Sequence, residues 1–191
     1  MKYLIPVCAT VLVVAACGKR DEPKADVNAP AASTTAPTSG PPMTSAALQV
    51  APTQGNTASG MLSVTAEADG VRISGQLNGL PKSAEVGFHI HEKGDCSAPD
   101  ASSAGEHFNP TNAQHGNPES GAHHAGDMLN AKSDDTGMAQ VDVKATGVTL
   151  GGGQPNDVLG RAVVVHEKPD DYTTQPSGNS GARIACGVIT G

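Results

Sequence analysis

From Leu48 onward, apolar and polar positions alternate in short runs broken by turn residues. Met61-Leu62-Ser63-Val64-Thr65-Ala66 and Val71-Arg72-Ile73-Ser74-Gly75-Gln76-Leu77 each read as a strand with one buried face, and Ala68-Asp69-Gly70 between them reads as a hairpin turn. Asn78-Gly79-Leu80-Pro81 makes the next turn, and residues 85–91 the next strand. Residues 127–131 and 138–144 read as strands, linked through Asp134-Asp135-Thr136-Gly137, and residues 161–166 and 184–189 complete the set. Roughly eight short strands with regular turns predict an all-β antiparallel sandwich or barrel.

The pattern upstream is different. Residues 1–17 begin with Lys2, continue almost wholly apolar to Ala16, and end at Cys17, which predicts an export signal too short to span a membrane. Val14-Ala15-Ala16-Cys17 resembles a bacterial lipobox, which implies that Cys17 is lipidated and that the chain sits on the periplasmic face of a membrane. Residues 18–47 turn to Pro, Ala, Ser and Thr; they cannot bury enough apolar surface to offset their ordering entropy and read as a tether. The folded domain is therefore expected over residues 48–191.

Composition narrows the picture. With aromatics at 2% and no Trp, the core must be built from Val, Ile, Leu and Ala, and 23 Gly with 14 Pro favour a turn-rich β protein. A formal charge of −7 argues against nucleic-acid binding, which needs a basic face. Within the domain only Cys96 and Cys186 remain, and an even pair in an exported chain predicts a disulfide.

The chemistry concentrates between Gly87 and Asp127, which hold six of the seven histidines; the seventh, His166, closes a run of three valines. His89 and His91 are two apart in a strand, so both rings point to one side and can reach one ion. His107, His115 and His124 follow in a stretch rich in Gly, Pro, Asn and Ser, and a long loop strewn with ligands suggests that a metal folds it. His123 adjoins His124; the spacing to Asp127 selects His124 as the ligand and leaves His123 as a solvated neighbour.

Five motifs, in order and spacing, resemble the copper–zinc superoxide dismutase family: Gly87-Phe88-His89-Ile90-His91-Glu92, His107-Phe108-Asn109-Pro110, His124-Ala125-Gly126-Asp127, Val164-Val165-His166-Glu167 and Arg183-Ile184-Ala185-Cys186-Gly187. The resemblance implies an eight-stranded antiparallel Greek-key barrel of immunoglobulin-like type with long metal-binding and electrostatic loops. It implies copper on His89, His91, His107 and His166, and zinc on His107, His115, His124 and Asp127. His107 would bridge the two ions and relay a proton. Asp170 would link ligands of the two metals, and Arg183 would hold the anionic substrate, superoxide, over the copper. The stretch 167–182 corresponds to the electrostatic loop but reads closer to bacterial members of the family. The competing reading is a periplasmic protein that buffers or delivers copper and zinc without turnover; a missing ligand or arginine would favour it, and none is missing. The resemblance leaves monomer and homodimer both open.

Overall fold

The first strand begins at Ser45, within the stretch that composition assigns to the tether, because Ala46, Leu48 and Val50 already share one buried face. The structure is a computed structural model and describes residues 41–191; the signal segment, Cys17 and most of the tether lie outside the described residues. Among the described residues the strands are β1 (Ser45–Pro52), β2 (Ser59–Glu67), β3 (Gly70–Asn78), β4 (Glu85–Val86), β5 (Phe88–His91), β6 (Ala131–Lys132), β7 (Ala139–Thr146), β8 (Ala162–His166) and β9 (Arg183–Thr190).

Seven of them form one antiparallel sheet in the order β5-β8-β9-β1-β2-β3-β7, and β4 pairs with β6 in a short separate ladder. Because β4 leads into one edge strand and β6 precedes the other, that ladder brings the edges together and curls the sheet. The β2–β3 hairpin closes at Glu67–Gly70, where the alternation predicts it. Leu48, Leu62, Ile73, Phe88, Ile90 and Ile189 are fully enclosed in the interior, and removing such side chains from water is the main source of stability.

Two differences from the sequence reading have local causes. The strand expected over 85–91 breaks at Gly87, whose N–H donates to Lys168 and whose carbonyl accepts from His166, each at 2.8 Å. The strand expected over 127–131 shrinks to Ala131–Lys132. Asp127 closes a turn by donating its N–H to His124 O at 3.0 Å and makes only an isolated bridge, and the Asn130 N–H donates to the Tyr172 hydroxyl at 2.8 Å rather than to a neighbouring strand. The long loop between β5 and β6 carries one 3-10 turn at Ser102–Ala104. That loop is fastened to β9 by the Cys96–Cys186 disulfide, over a small cluster of Ala101, Ala104, Ala162 and Val164.

Candidate metal centre

The centre is assembled on the edge strand β5. Its residues Phe88 and Ile90 point into the core, so pleating sends His89 and His91 to the opposite side. Two stretches of the loop are stitched onto this edge: Ile90 N–H donates to Gly126 O at 2.9 Å, Phe108 N–H to Ile90 O at 2.8 Å, and Gly126 N–H to Phe108 O at 2.9 Å. Position 126 must be glycine for this, since a Cβ would overlap the Ile90 carbonyl. The stitching draws His107 against His91 and Asp127 against His89 in backbone bridges. His166 arrives as the last residue of β8, at an irregularity in its pairing with β9.

Two buried groups result: His89, His91, His107 and His166, and His107, His115, His124 and Asp127. Within each, one ligand atom from every residue lies within 4.8 Å of the others, and His107 belongs to both. These are the same seven residues that the sequence resemblance names. His123 joins neither group. Its ring turns to Gly121 O at 3.0 Å and Thr146 Oγ1 at 3.3 Å, so it is half-buried rather than solvated.

Which nitrogen each ring offers follows from what the other nitrogen does. His89 Nε2 donates to Asp170 Oδ2 at 2.8 Å, His91 Nδ1 to Gly105 O at 2.9 Å, and His107 Nδ1 to Asp127 Oδ1 at 2.8 Å. That leaves His89 Nδ1, His91 Nε2, His107 Nε2 and His166 Nε2 buried without a hydrogen-bond partner in the first group. In the second, His115 Nε2 donates to Asp170 Oδ1 at 2.9 Å, which leaves Nδ1 for a metal; His124 Nδ1 is likewise buried and unpartnered. His115 Nδ1 is 3.0 Å from Asp127 Oδ2 but out of line for a hydrogen bond. Buried polar atoms are nearly always satisfied, so six orphaned nitrogens converging on two points fit two metal ions.

Charge sets His115 apart from the other rings, for burial lowers His124 as well. Burial pushes His89 down to about 4 and His166 down to about 3, and burial with the neighbouring His107 holds His91 well below the usual imidazole range. These rings are neutral at pH 7, with lone pairs free. His115 behaves oppositely: burial lowers it, but the close Asp127 carboxylate and the hydrogen-bonded Asp170 carboxylate overcome that and raise it to about 9. Both carboxylates, raised by burial, are pulled well below the usual range by the histidines they face.

Arg183, half-exposed at the start of β9, donates through Nη1 to Ala101 O at 2.8 Å and through Nη2 to Gly105 O at 2.7 Å. Gly105 O also accepts from His91, so one carbonyl ties the guanidinium to the first histidine group. Asp170 spans the two groups through His89 and His115. Three contacts had no signal in the sequence. Asn130 braces Asp170 by accepting from its N–H at 2.9 Å and donating to its carbonyl at 3.0 Å. Gln175 pairs with the backbone of His115. Arg161 lies over the Phe108 ring at 3.6 Å.

A family profile described as copper/zinc superoxide dismutase (SODC) matches residues 58–189. The chain is 50% identical over 125 residues to Superoxide dismutase (Cu-Zn) 2 of Aquifex aeolicus, covering 63% of this chain and 72% of that one. It is 44% identical over 126 residues to the superoxide dismutase-like protein YojM of Bacillus subtilis, covering 64% of each. A crystal structure of a SOD-like protein from Bacillus subtilis superposes with a TM-score of 0.67 at 40% identity, covering 75% of this chain and 97% of that one.

Proposed function

The chain belongs to the copper/zinc superoxide dismutase family, and from that premise we propose that it dismutes superoxide to oxygen and hydrogen peroxide. Copper would be held by His89, His91, His107 and His166, and zinc by His107, His115, His124 and Asp127. The observation that supports this most strongly is the set of orphaned, converging nitrogens, with the rings of His89, His91, His107 and His115 held by a carboxylate or carbonyl at the other nitrogen. When bound, copper would supply reversible one-electron chemistry, and zinc a fixed positive charge that keeps the shared imidazole acidic.

The protein's own groups supply the rest. Two superoxide ions and two protons give one O₂ and one H₂O₂, so the reduced oxygen needs protons where it forms. His107 belongs to both groups, and a proton taken up from solvent at its unpartnered Nε2 can pass to the reduced oxygen while Nδ1 stays on Asp127. Arg183 keeps N–H groups unused by Ala101 and Gly105 and can draw in and orient a small anion, although the chain's net charge is −7. Asp170 holds His89 and His115 in fixed tautomers at once.

Arg183 also separates an enzyme from a copper and zinc carrier, since a guanidinium beside the histidines repels an incoming cation. Purified protein of known metal content should consume superoxide, and Arg183→Ile at matched content should lose roughly tenfold in kcat/KM, about 1.4 kcal/mol. Arg183→Lys should fall between, keeping charge without the paired geometry. Full activity in the Ile variant would remove Arg183 from the mechanism. We propose too that residues 1–17 direct export, that Cys17 carries a lipid anchor on the periplasmic face, and that residues 18 onward tether the domain. The apolar run ending in Val14-Ala15-Ala16-Cys17 supports this, and loss of lipid labelling in Cys17→Ser would test it.

A further inference from the structure

We propose that Gln175 is a positioning residue for the zinc ligand His115, presetting its backbone before any metal arrives; this rests on the assignment of His115 to the zinc group. Of the histidines in the two groups, only His115 and His124 stand neither on a strand nor in a bridge to β5, and His124 has both main-chain groups taken by Asp127. Residues 112–117 around it have no regular secondary structure, so its peptide groups lack ladder partners. Gln175 supplies them. Its Oε1 accepts the His115 N–H at 3.0 Å and its Nε2 donates to the His115 carbonyl at 2.8 Å. One planar amide thus pairs with both main-chain groups of one residue, as a neighbouring strand would, and two bonds fix an orientation that one bond would leave free.

The ring of the same residue is held from the same loop, because Asp170 accepts from His115 Nε2. The loop is built to hold this grip. Asp171 accepts from Thr173 N at 2.9 Å, Thr174 N at 2.7 Å and Thr174 Oγ1 at 2.6 Å, and Gly178 N donates to Thr174 O at 2.7 Å. Gly178, at φ +65°, passes so close to the Asp170 carboxylate and the His115 ring that any Cβ there would overlap both. With backbone and ring both clamped, His115 Nδ1 is the atom left to point at a metal. The loop expected to steer substrate therefore also orients a zinc ligand.

Gln175 is itself exposed, so replacing it should not threaten folding. The test uses the full chain stripped of metal and measures zinc affinity by competition with a chromophoric chelator. Gln175→Ala should weaken zinc binding about tenfold, the low end of the usual effect of groups that support metal ligands. The His115 amide should exchange with solvent faster in the metal-free variant. Cobalt placed in the zinc group should show an altered visible spectrum. Gln175→Met keeps the length without either hydrogen bond and should behave like the Ala variant; wild-type affinity in Met would mean packing rather than pairing, and would overturn the proposal. His124→Ala serves as the reference. If it keeps wild-type zinc affinity, the zinc assignment itself has failed. If it loses zinc while Gln175→Ala binds as tightly as wild type, Gln175 has no positioning role.

Discussion

The two histidine groups share His107, yet the chain builds them by different means. Three of the four residues in the group proposed for copper stand on paired strands, and His89 sits opposite Val164 in a register fixed by the barrel. None of the zinc group stands on a strand, and its His115 depends on side chains from a separate loop. Electrostatics sets one loop residue apart. Burial leaves His89, His91 and His166 neutral and lowers His124 too, whereas two carboxylates make His115 an imidazolium in the metal-free protein. There an incoming metal must displace a proton.

The hardest break in this comparison is at the shared residue. His107→Ala removes one ligand from each group and should lower both copper and zinc content, with superoxide turnover falling by at least about 10⁴-fold, roughly 5 kcal/mol. Retention of either metal at wild-type level would mean that the groups are independent. Next in size is the disulfide, whose cysteines are 90 residues apart. Cys186→Ser should cost about 4 kcal/mol in denaturant unfolding on the chain-entropy account. It should also free the loop whose Ala101 and Gly105 carbonyls hold Arg183, so activity should drop further than metal content does.

The electrostatic half of the comparison is sharpened by titrating the stability of metal-free protein. His115 binds its proton more tightly folded than unfolded, so its contribution is complete below about 6.5 and disappears as pH rises through about 9. His89 and His166 bind theirs less tightly folded, so their contribution is complete above about 6.5 and disappears as pH falls through about 4 and about 3. Melting temperature should therefore peak near neutrality, and Asp170→Asn should flatten the alkaline limb more than the acidic one. An unchanged alkaline limb would mean that His115 is not held as the cation. The smallest effect belongs to His123→Ala, which removes a contact with Thr146 and should cost about 1 kcal/mol or less while leaving both metals bound. Zinc loss there, with retention in His124→Ala, would reverse the assignment of the two neighbours.

What could be read from the chain in advance follows from how locally each feature is encoded. β2, β3 and β7 were legible because their faces alternate, and six of the seven residues of the two groups, all but His115, because they lie in contiguous motifs. Gly87 was not legible as a break: β5 is buried on both faces, so no change in polarity marks where the chain leaves one sheet for another. Residues 127–131 carry the apolar pattern of a strand, but their hydrogen bonds go to Tyr172 and to the Asp127 turn, partners set by tertiary structure. Gln175 and Asn130 are uncharged amides in unremarkable contexts, and Gln175 meets His115 across 60 residues of sequence. Only the folded chain reveals such pairs.

The direction of β1 bears on how the protein is presented to its surroundings. Pro52 pairs with Ala185, and the Thr53 hydroxyl donates to the Arg183 carbonyl, so the strand ends beside the arginine proposed to hold substrate. It begins at the other end, where the Met43 N–H donates to Leu150 O. Eight residues of extended chain put about 25 Å between the two ends. Whatever precedes residue 41 thus joins the domain on the side remote from Arg183. Lengthening or shortening the chain ahead of that point should therefore leave the approach of a small anion to the guanidinium unchanged.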